Sequence, residues 1–216
     1  MDKQTIDTYD REAEHIAQLH SSLTPGRLYT LITAYFTKTG NTLDIGCGIG
    51  RDTQWLNKNG YPAIGVDASV GMLKQAQQLY PQIHFIKDTL PDLNNLNGQT
   101  FQNILCSAVL MHLNKAHLEQ ACLKLLDLLK AEGHLIISIR KTETTDHREN
   151  GKLYEPIDIK AFKQFFLKHH CKIVLEEQEL EPARQLTWYN FVIQNKSNPD
   201  TLWLIIQLST TNWSAT

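Results

Sequence analysis

The residues best suited to chemistry lie in Leu43-Asp44-Ile45-Gly46-Cys47-Gly48-Ile49-Gly50-Arg51-Asp52, where a short apolar run gives way to a helical pattern. Glycines at such a junction let the backbone turn sharply and approach a ligand with no Cβ between them. Gly46 and Gly48 are the two expected to do so. Asp67 ends the next apolar run, Gly65-Val66-Asp67-Ala68, 21 residues beyond Gly46. At that spacing a carboxylate can accept both hydroxyls of a ribose lying across two strand tips. Asp88, in Lys87-Asp88-Thr89-Leu90-Pro91, gives a third tip an acid suited to an adenine amine. A glycine turn and two acids on three successive tips form a slot for an adenosine-containing cofactor.

Dinucleotide loops read GxGxxG, with the helix N-terminus facing a pyrophosphate. Here the order is GxGxG, and Arg51 stands where the last glycine of that pattern would be. Asp44, two residues before Gly46, is unfavourable beside a pyrophosphate and suits a cationic ligand. S-adenosylmethionine, with a sulfonium and an ammonium, is such a ligand. A nicotinamide-dependent oxidoreductase stays open as the alternative.

The elements that must position these residues follow from composition and periodicity. The chain has 216 residues, 42% of hydrophobic types, and 11 glycines, ordinary for one soluble domain. At this length a single core buries about 70–75% of the unfolded surface, so folding requires neither disulfide nor structural metal. Twenty-one Lys+Arg against 23 Asp+Glu leave a formal charge of −2, without the excess of a general phosphate-backbone binder. Cys47, Cys106, Cys122 and Cys171 are scattered with no CxxC, which fits reduced thiols and a cytoplasmic location. The N-terminus lacks an apolar signal region, and the longest apolar stretch, Leu202 to Ile206, is too short to span a bilayer.

Residues 3–20 read as one polar, weakly amphipathic helix with Ile6, Tyr9, Ala13, Ile16, Ala17 and His20 on one side, and 25–37 as a helix opened by Pro25. Strands are expected at 41–45, 61–66, 83–86, 101–107 and 134–139, alternating with helices at 52–59, 69–79 and 114–130. The last helix carries Leu118, Cys122, Leu125, Leu126 and Leu129 as its apolar stripe and is expected to end at Gly133. A helix at 158–169 and strands at 171–180 and 186–194 follow. Such βα units followed by two strands with no helix between them imply a mostly parallel sheet ending in an antiparallel hairpin. Residues 200–208 are ambiguous between strand and helix, with packing on the chain's own core favoured over a dimer contact.

In these segments the chain resembles the class I S-adenosylmethionine-dependent methyltransferases over roughly residues 40–195. Leu43 to Gly50 matches that family's first motif, E/D-x-G-x-G-x-G. Val66-Asp67-Ala68-Ser69 with Met72-Leu73 matches the second-strand segment, Lys87 to Pro91 the adenine turn, and Asn103 to Leu113 the fourth-strand segment. The resemblance implies an α/β, Rossmann-like seven-stranded sheet of order 3-2-1-4-5-7-6, strand 7 antiparallel, with helices on both faces. It also implies one methyltransferase domain over 1–216, with an N-terminal helical cap (1–38), the Rossmann-like core (40–195) and a C-terminal extension (196–216). By the same resemblance Asp44, Gly46, Gly48, Asp67, Ala68, Met72, Asp88, Thr89 and Leu90 line the S-adenosylmethionine slot. Cys47 fits within the loop, Arg51 and Asp52 face the methionine moiety, and Cys106 lies near it.

Methyl transfer from a sulfonium is an in-line displacement, so the protein chiefly aligns the nucleophile and excludes water. Where the acceptor carries a proton, His112, just past the fourth strand, is the candidate base. Tyr9, Arg140, Tyr154 and Arg184 are candidates to face the acceptor, and Tyr9's helix to close over it. His112 and His117 are five apart, so they form no His-x-x-x-His pair, and no metal is expected. Ser107-Ala108-Val109-Leu110 replaces the Asp/Asn/Ser-Pro-Pro-aromatic segment of nucleic-acid amino-methyltransferases, and no Pro-Cys pair exists for base methylation. These features favour a small-molecule acceptor over nucleic acid, with no membrane partner and a monomer or homodimer. An RNA or protein acceptor, and a non-catalytic S-adenosylmethionine-binding module, stay open as further alternatives.

Overall fold

The computed structural model describes residues 1–21, 23–182 and 184–196. The expectation for residues 200–208 lies outside them. Seven strands form one sheet of order β3-β2-β1-β4-β5-β9-β8: β1 (Thr42–Ile45), β2 (Ala63–Asp67), β3 (Phe85–Lys87), β4 (Phe101–Ser107), β5 (Leu129–Arg140), β8 (Cys171–Glu181) and β9 (Leu186–Asn195). β1 to β5 pair in parallel, and β9 lies antiparallel to both β5 and β8. This is the expected order with the expected antiparallel strand, the last two strands carrying higher numbers. A small hairpin, β6 (His147–Glu149) and β7 (Lys152–Tyr154), intervenes before them.

Strand alternation divides the core between the two faces. On one face Leu43, Ile45, Ile104, Cys106, Leu135 and Ile137 pack with α6 (Lys115–Leu128) and α7 (Ile159–Lys168). On the other Leu105, Ile136 and Val192 meet α3 (Gly26–Tyr35) and α4 (Arg51–Lys58). Side chains cap the helices where the sequence supplies them: Asn114 accepts the His117 N–H, Asp158 the Ala161 N–H and Ser69 the Met72 N–H.

Three local expectations are corrected. The helix over 3–20 is two, α1 (Lys3–Arg11) and α2 (Ala13–Ser21), broken at Glu12. α1 buries Thr5 and Thr8, and Thr5 Oγ1 accepts the Leu153 N–H of β7. α2 instead buries Ala13, Ile16 and Ala17 in a cluster with Met72 of α5 (Val70–Leu79). α1 packs on β7 as well as α5, whereas α2 packs on α5, and the bend lies between these contacts. Gly133 does not end α6, because β5 begins at Leu129 opposite Phe101 and the register then shifts before His134. The hairpin β6–β7 was not expected at all. Its signal is Asn150-Gly151, both at positive φ (49° and 82°), the two-residue turn that matches strand twist.

Candidate active site

The C-terminal tips of β1, β2, β3 and β4 converge on one cavity of about 140 Å³. Gly46 and Gly48 hold φ of 69° and 54°, conformations that cost glycine little and other residues more. A Cβ at Gly46 would sit 2.2 Å from Val109 Cγ2, whereas one at Gly48 would meet Met72 Cε at 3.3 Å. The first glycine is thus required by packing against the β4 loop, and the second borders the cavity directly.

Asp67 ends β2 with one carboxylate oxygen accepting the Gly48 N–H and the other the Ser69 N–H, each at 2.8 Å. Burial pushes its pKa up, opposed by those N–H groups. Asp88 accepts the N–H of Thr89 and that of Asn95. At the start of α4, Arg51 forms a two-point ion pair with Asp52, and Tyr29 donates to the same carboxylate. Arg51 and Asp52 offset each other, which leaves Asp67 and Asp88 as the wall's acids, with the Met1 ammonium, donating to the Leu90 carbonyl, as its other cation.

Of the residues singled out in the sequence for the cofactor, Gly46, Cys47, Gly48, Arg51, Asp52, Asp67, Ala68, Met72, Asp88, Thr89 and Leu90 line this cavity. Asp44 and Cys106 do not. Asp44 faces α4, is 2% exposed and accepts a 2.6 Å hydrogen bond from Thr53 Oγ1. Desolvation, with Asp52 nearby, pushes its pKa up to about 8, so it does not supply the anionic charge expected beside the loop. Cys106 points into the core beside α6, and the alternation of β4 puts Ser107 on the cavity instead.

His112 sits in a short 3-10 turn, Leu110–His112, and lines the cavity with Tyr9. Tyr154 is one layer behind, its ring 5.0 Å from the His112 ring. Arg140 lies over Tyr154 at 4.5 Å and pairs with Glu149. Arg184 pairs with Glu181 in the β8–β9 turn. Neither arginine nor Tyr154 reaches the cavity wall, so the four acceptor candidates are not brought together there. Sequence reasoning missed His20, Ser107, Ala108, Val109 and Leu93, all cavity-lining. His20 was placed on the correct side of its helix, but nothing in its spacing singled it out.

α1 and α2 roof the cavity through Tyr9 and His20. Asp10 of α1 accepts hydrogen bonds from Ser69 Oγ (2.6 Å) and the Gly71 N–H (2.8 Å) at the start of α5. At the other end, Asp2 caps α1 and pairs with Arg148 of β6 at 3.0 Å. The four cysteines are free and buried. Among the described residues no helix is long and apolar enough to cross a membrane.

Residues 42–133 match the family model described as a methyltransferase domain. A protein of Geobacillus sp. (strain WCH70) named as a methyltransferase is 30% identical over 111 residues, 49% of this chain and 44% of that protein. The chain spans about half the length of the curated relatives it matches. Among solved structures, the 1,6-didemethyltoxoflavin-N1-methyltransferase of Burkholderia thailandensis, with 1,6-didemethyltoxoflavin and S-adenosylhomocysteine bound, superposes with a TM-score of 0.72. The superposition covers 90% of this chain and 88% of that one at 16% identity. The (4+2)-cyclase SpnF superposes with a TM-score of 0.62 at 13% identity, covering 80% and 82%, so the fold is shared by different chemistries. Strand order and the motifs on successive strand tips agree with the methyltransferase domain matched over residues 42–133, and together they support a class I S-adenosylmethionine-dependent methyltransferase.

Proposed function

We propose that this protein transfers a methyl group from S-adenosylmethionine to a small-molecule acceptor. The observation that carries this reading is the convergence of the Gly46–Gly48 turn, Asp67 and Asp88 on one cavity. The residues present fit the cofactor. Asp67 would hold the ribose, Asp88, Thr89 and Leu90 the adenine, and Met72 the face of the ring. Gly48 leaves room for close approach. The acidic wall, with Arg51 engaged by Asp52, suits a sulfonium and an ammonium and opposes the pyrophosphate of a nicotinamide dinucleotide.

When bound, the cofactor supplies an activated methyl on a good leaving group. The chain's part is to orient the acceptor and keep water out. The cavity lies under α1 and α2, which supply Tyr9 and His20 to its wall, so these helices are the elements that would close over a bound ligand. The narrow, half-apolar enclosure beside His112, together with the chain's slight negative charge, supports a small acceptor over a polynucleotide.

Thermal unfolding with S-adenosylmethionine, S-adenosylhomocysteine or NADH tests the reading. Ligand at a hundredfold over Kd adds about 2.7 kcal/mol, a rise of roughly 5–11 °C for a domain this size. Stabilisation by the first two alone supports it, and stabilisation by NADH alone overturns it. Cofactor binding without transfer across a broad acceptor panel would instead favour a binding module.

A further inference from the structure

We infer that His112 selects the acceptor: its Nε2 accepts a hydrogen bond from, and then the proton of, a hydroxyl or heteroaromatic N–H at the atom to be methylated. This deepens the methyl-transfer reading and rests on it.

The geometry fixes which ring nitrogen accepts. His112 Nδ1 lies 2.6 Å from the carbonyl oxygen of Leu153, and a carbonyl only accepts, so Nδ1 carries the hydrogen. Nε2 then carries the lone pair and accepts from the Tyr9 hydroxyl at a long 3.4 Å, a bond that an acceptor X–H in the cavity would replace. The ring is 3% exposed and gripped edge-on by Tyr9 and Tyr154. Burial drives its pKa down to about 4, which keeps it neutral near pH 7.

The positioning residue is Leu153, through its main chain. Its N–H donates to Thr5 Oγ1 and the Glu155 N–H donates to the Met111 carbonyl. Strand β7 is thereby pinned between α1 and the turn that carries His112. The hairpin β6–β7 serves the site by setting the tautomer, although it adds no side chain to the cavity wall.

A neutral acceptor nitrogen facing the cavity pairs with an X–H group and leaves a carboxylate without a donor. An aliphatic ammonium would place a second cation beside a sulfonium. In the step itself, His112 Nε2 takes the X–H proton as the X–CH3 bond forms and the S–CH3 pair passes to sulfur. The products are the methylated acceptor, S-adenosylhomocysteine and an imidazolium whose Nδ1–H stays on Leu153. That proton leaves to solvent when the site opens.

The test uses the full chain with 15N-labelled histidine. Long-range 1H–15N spectra at pH 7 should show His112 as the Nδ1–H tautomer, and an Nε2–H tautomer overturns the inference. With S-adenosylhomocysteine present, phenol and pyrazole should move the Nε2 resonance, and benzoate and benzylamine should not. Failure of both X–H probes to move it, or an equal response to the other two, also overturns the inference. His112→Asn keeps an amide nitrogen near the Nδ1 position for Leu153. It should retain S-adenosylhomocysteine affinity within about twofold but lose binding of phenol. The groups facing His112 are Tyr9, Tyr154, Lys152, Asp2 and Arg140, so Lys152→Gln controls for their charge in a pH series. Absence of any S-adenosylhomocysteine binding in the wild type would instead remove the proposed function.

Discussion

The carboxylate of Asp67 accepts the main-chain N–H of Gly48 at 2.8 Å, tying the tip of β2 to the glycine turn after β1. One side chain thus shapes the loop and presents its remaining acceptor capacity to the cavity.

Asp67→Ala removes both functions, whereas Asp67→Asn keeps one main-chain hydrogen bond, loses the other because its Nδ2 only donates, and loses the charge. Loss of a charge-assisted acceptor costs about 1–3 kcal/mol, so S-adenosylhomocysteine should bind at least about fivefold more weakly to either variant. Calorimetric titration measures it. Unchanged affinity in a folded Asp67→Asn protein would remove the carboxylate from the ribose position.

The two glycines should fail differently. Gly46→Ala drives a Cβ to 2.2 Å from Val109 Cγ2 at φ 69°, so it should lower Tm. Gly48→Val meets the flexible end of Met72 and projects into the slot, so it should abolish cofactor binding with little change in circular dichroism. A Gly48→Val protein with a normal titration curve would contradict this placement of the loop.

Much of this site was legible because strand tips announce themselves. An apolar run ending in Gly46-Cys47-Gly48 or Val66-Asp67 gives the residue and its direction together. Asp44 and Cys106 show where that reading stops. Each is adjacent to a residue that reaches the cavity, Ile45 and Ser107 respectively, and a strand turns alternate residues to opposite faces. Spacing along the chain places the tip but not the face. The helix over 3–20 failed for another reason: periodicity records one apolar stripe, while the bend at Glu12 lies between contacts to β7 and α5 that are distant in sequence. The β6–β7 hairpin carried a local Asn-Gly signal, but its polar flanks hid it among loop residues.

Buried groups should give opposing pH dependences. The pKa of His112 is lowered to about 4, so the unfolded chain binds its proton first. Its contribution is full above about 6.5 and is lost as pH falls toward 4. Asp44 is raised to about 8, so its contribution is present below about 3.8 and is lost as pH rises toward 8. The two partly cancel in the wild type. His112→Asn should therefore lose least stability in acid, and Asp44→Asn should gain stability relative to wild type as pH rises from 5 to 8. Each difference changes by up to about 1.4 kcal/mol per pH unit. Urea titrations across pH 4–8 measure both, and parallel curves for variant and wild type would assign the dependence to other groups.

The α1 half of the roof is tied to α5 by polar contacts, beside the apolar cluster of Ala13, Ile16 and Ala17 that seats α2 on Met72. Asp10 reaches from α1 to Ser69 Oγ and the Gly71 N–H, and Ser69 also caps α5 and bonds through its own N–H to Asp67. The latch on the roof and the carboxylate proposed for the ribose therefore share one residue. Asp10→Ala should cost about 1 kcal/mol of stability and raise hydrogen exchange in α1. It should also speed S-adenosylhomocysteine association by making the open form more populated. Because the bound state loses the same latch, dissociation should accelerate too, leaving Kd less changed than either rate. Stopped-flow binding separates these rates, and an association rate equal to that of wild type would mean that ligand reaches the cavity without displacing α1.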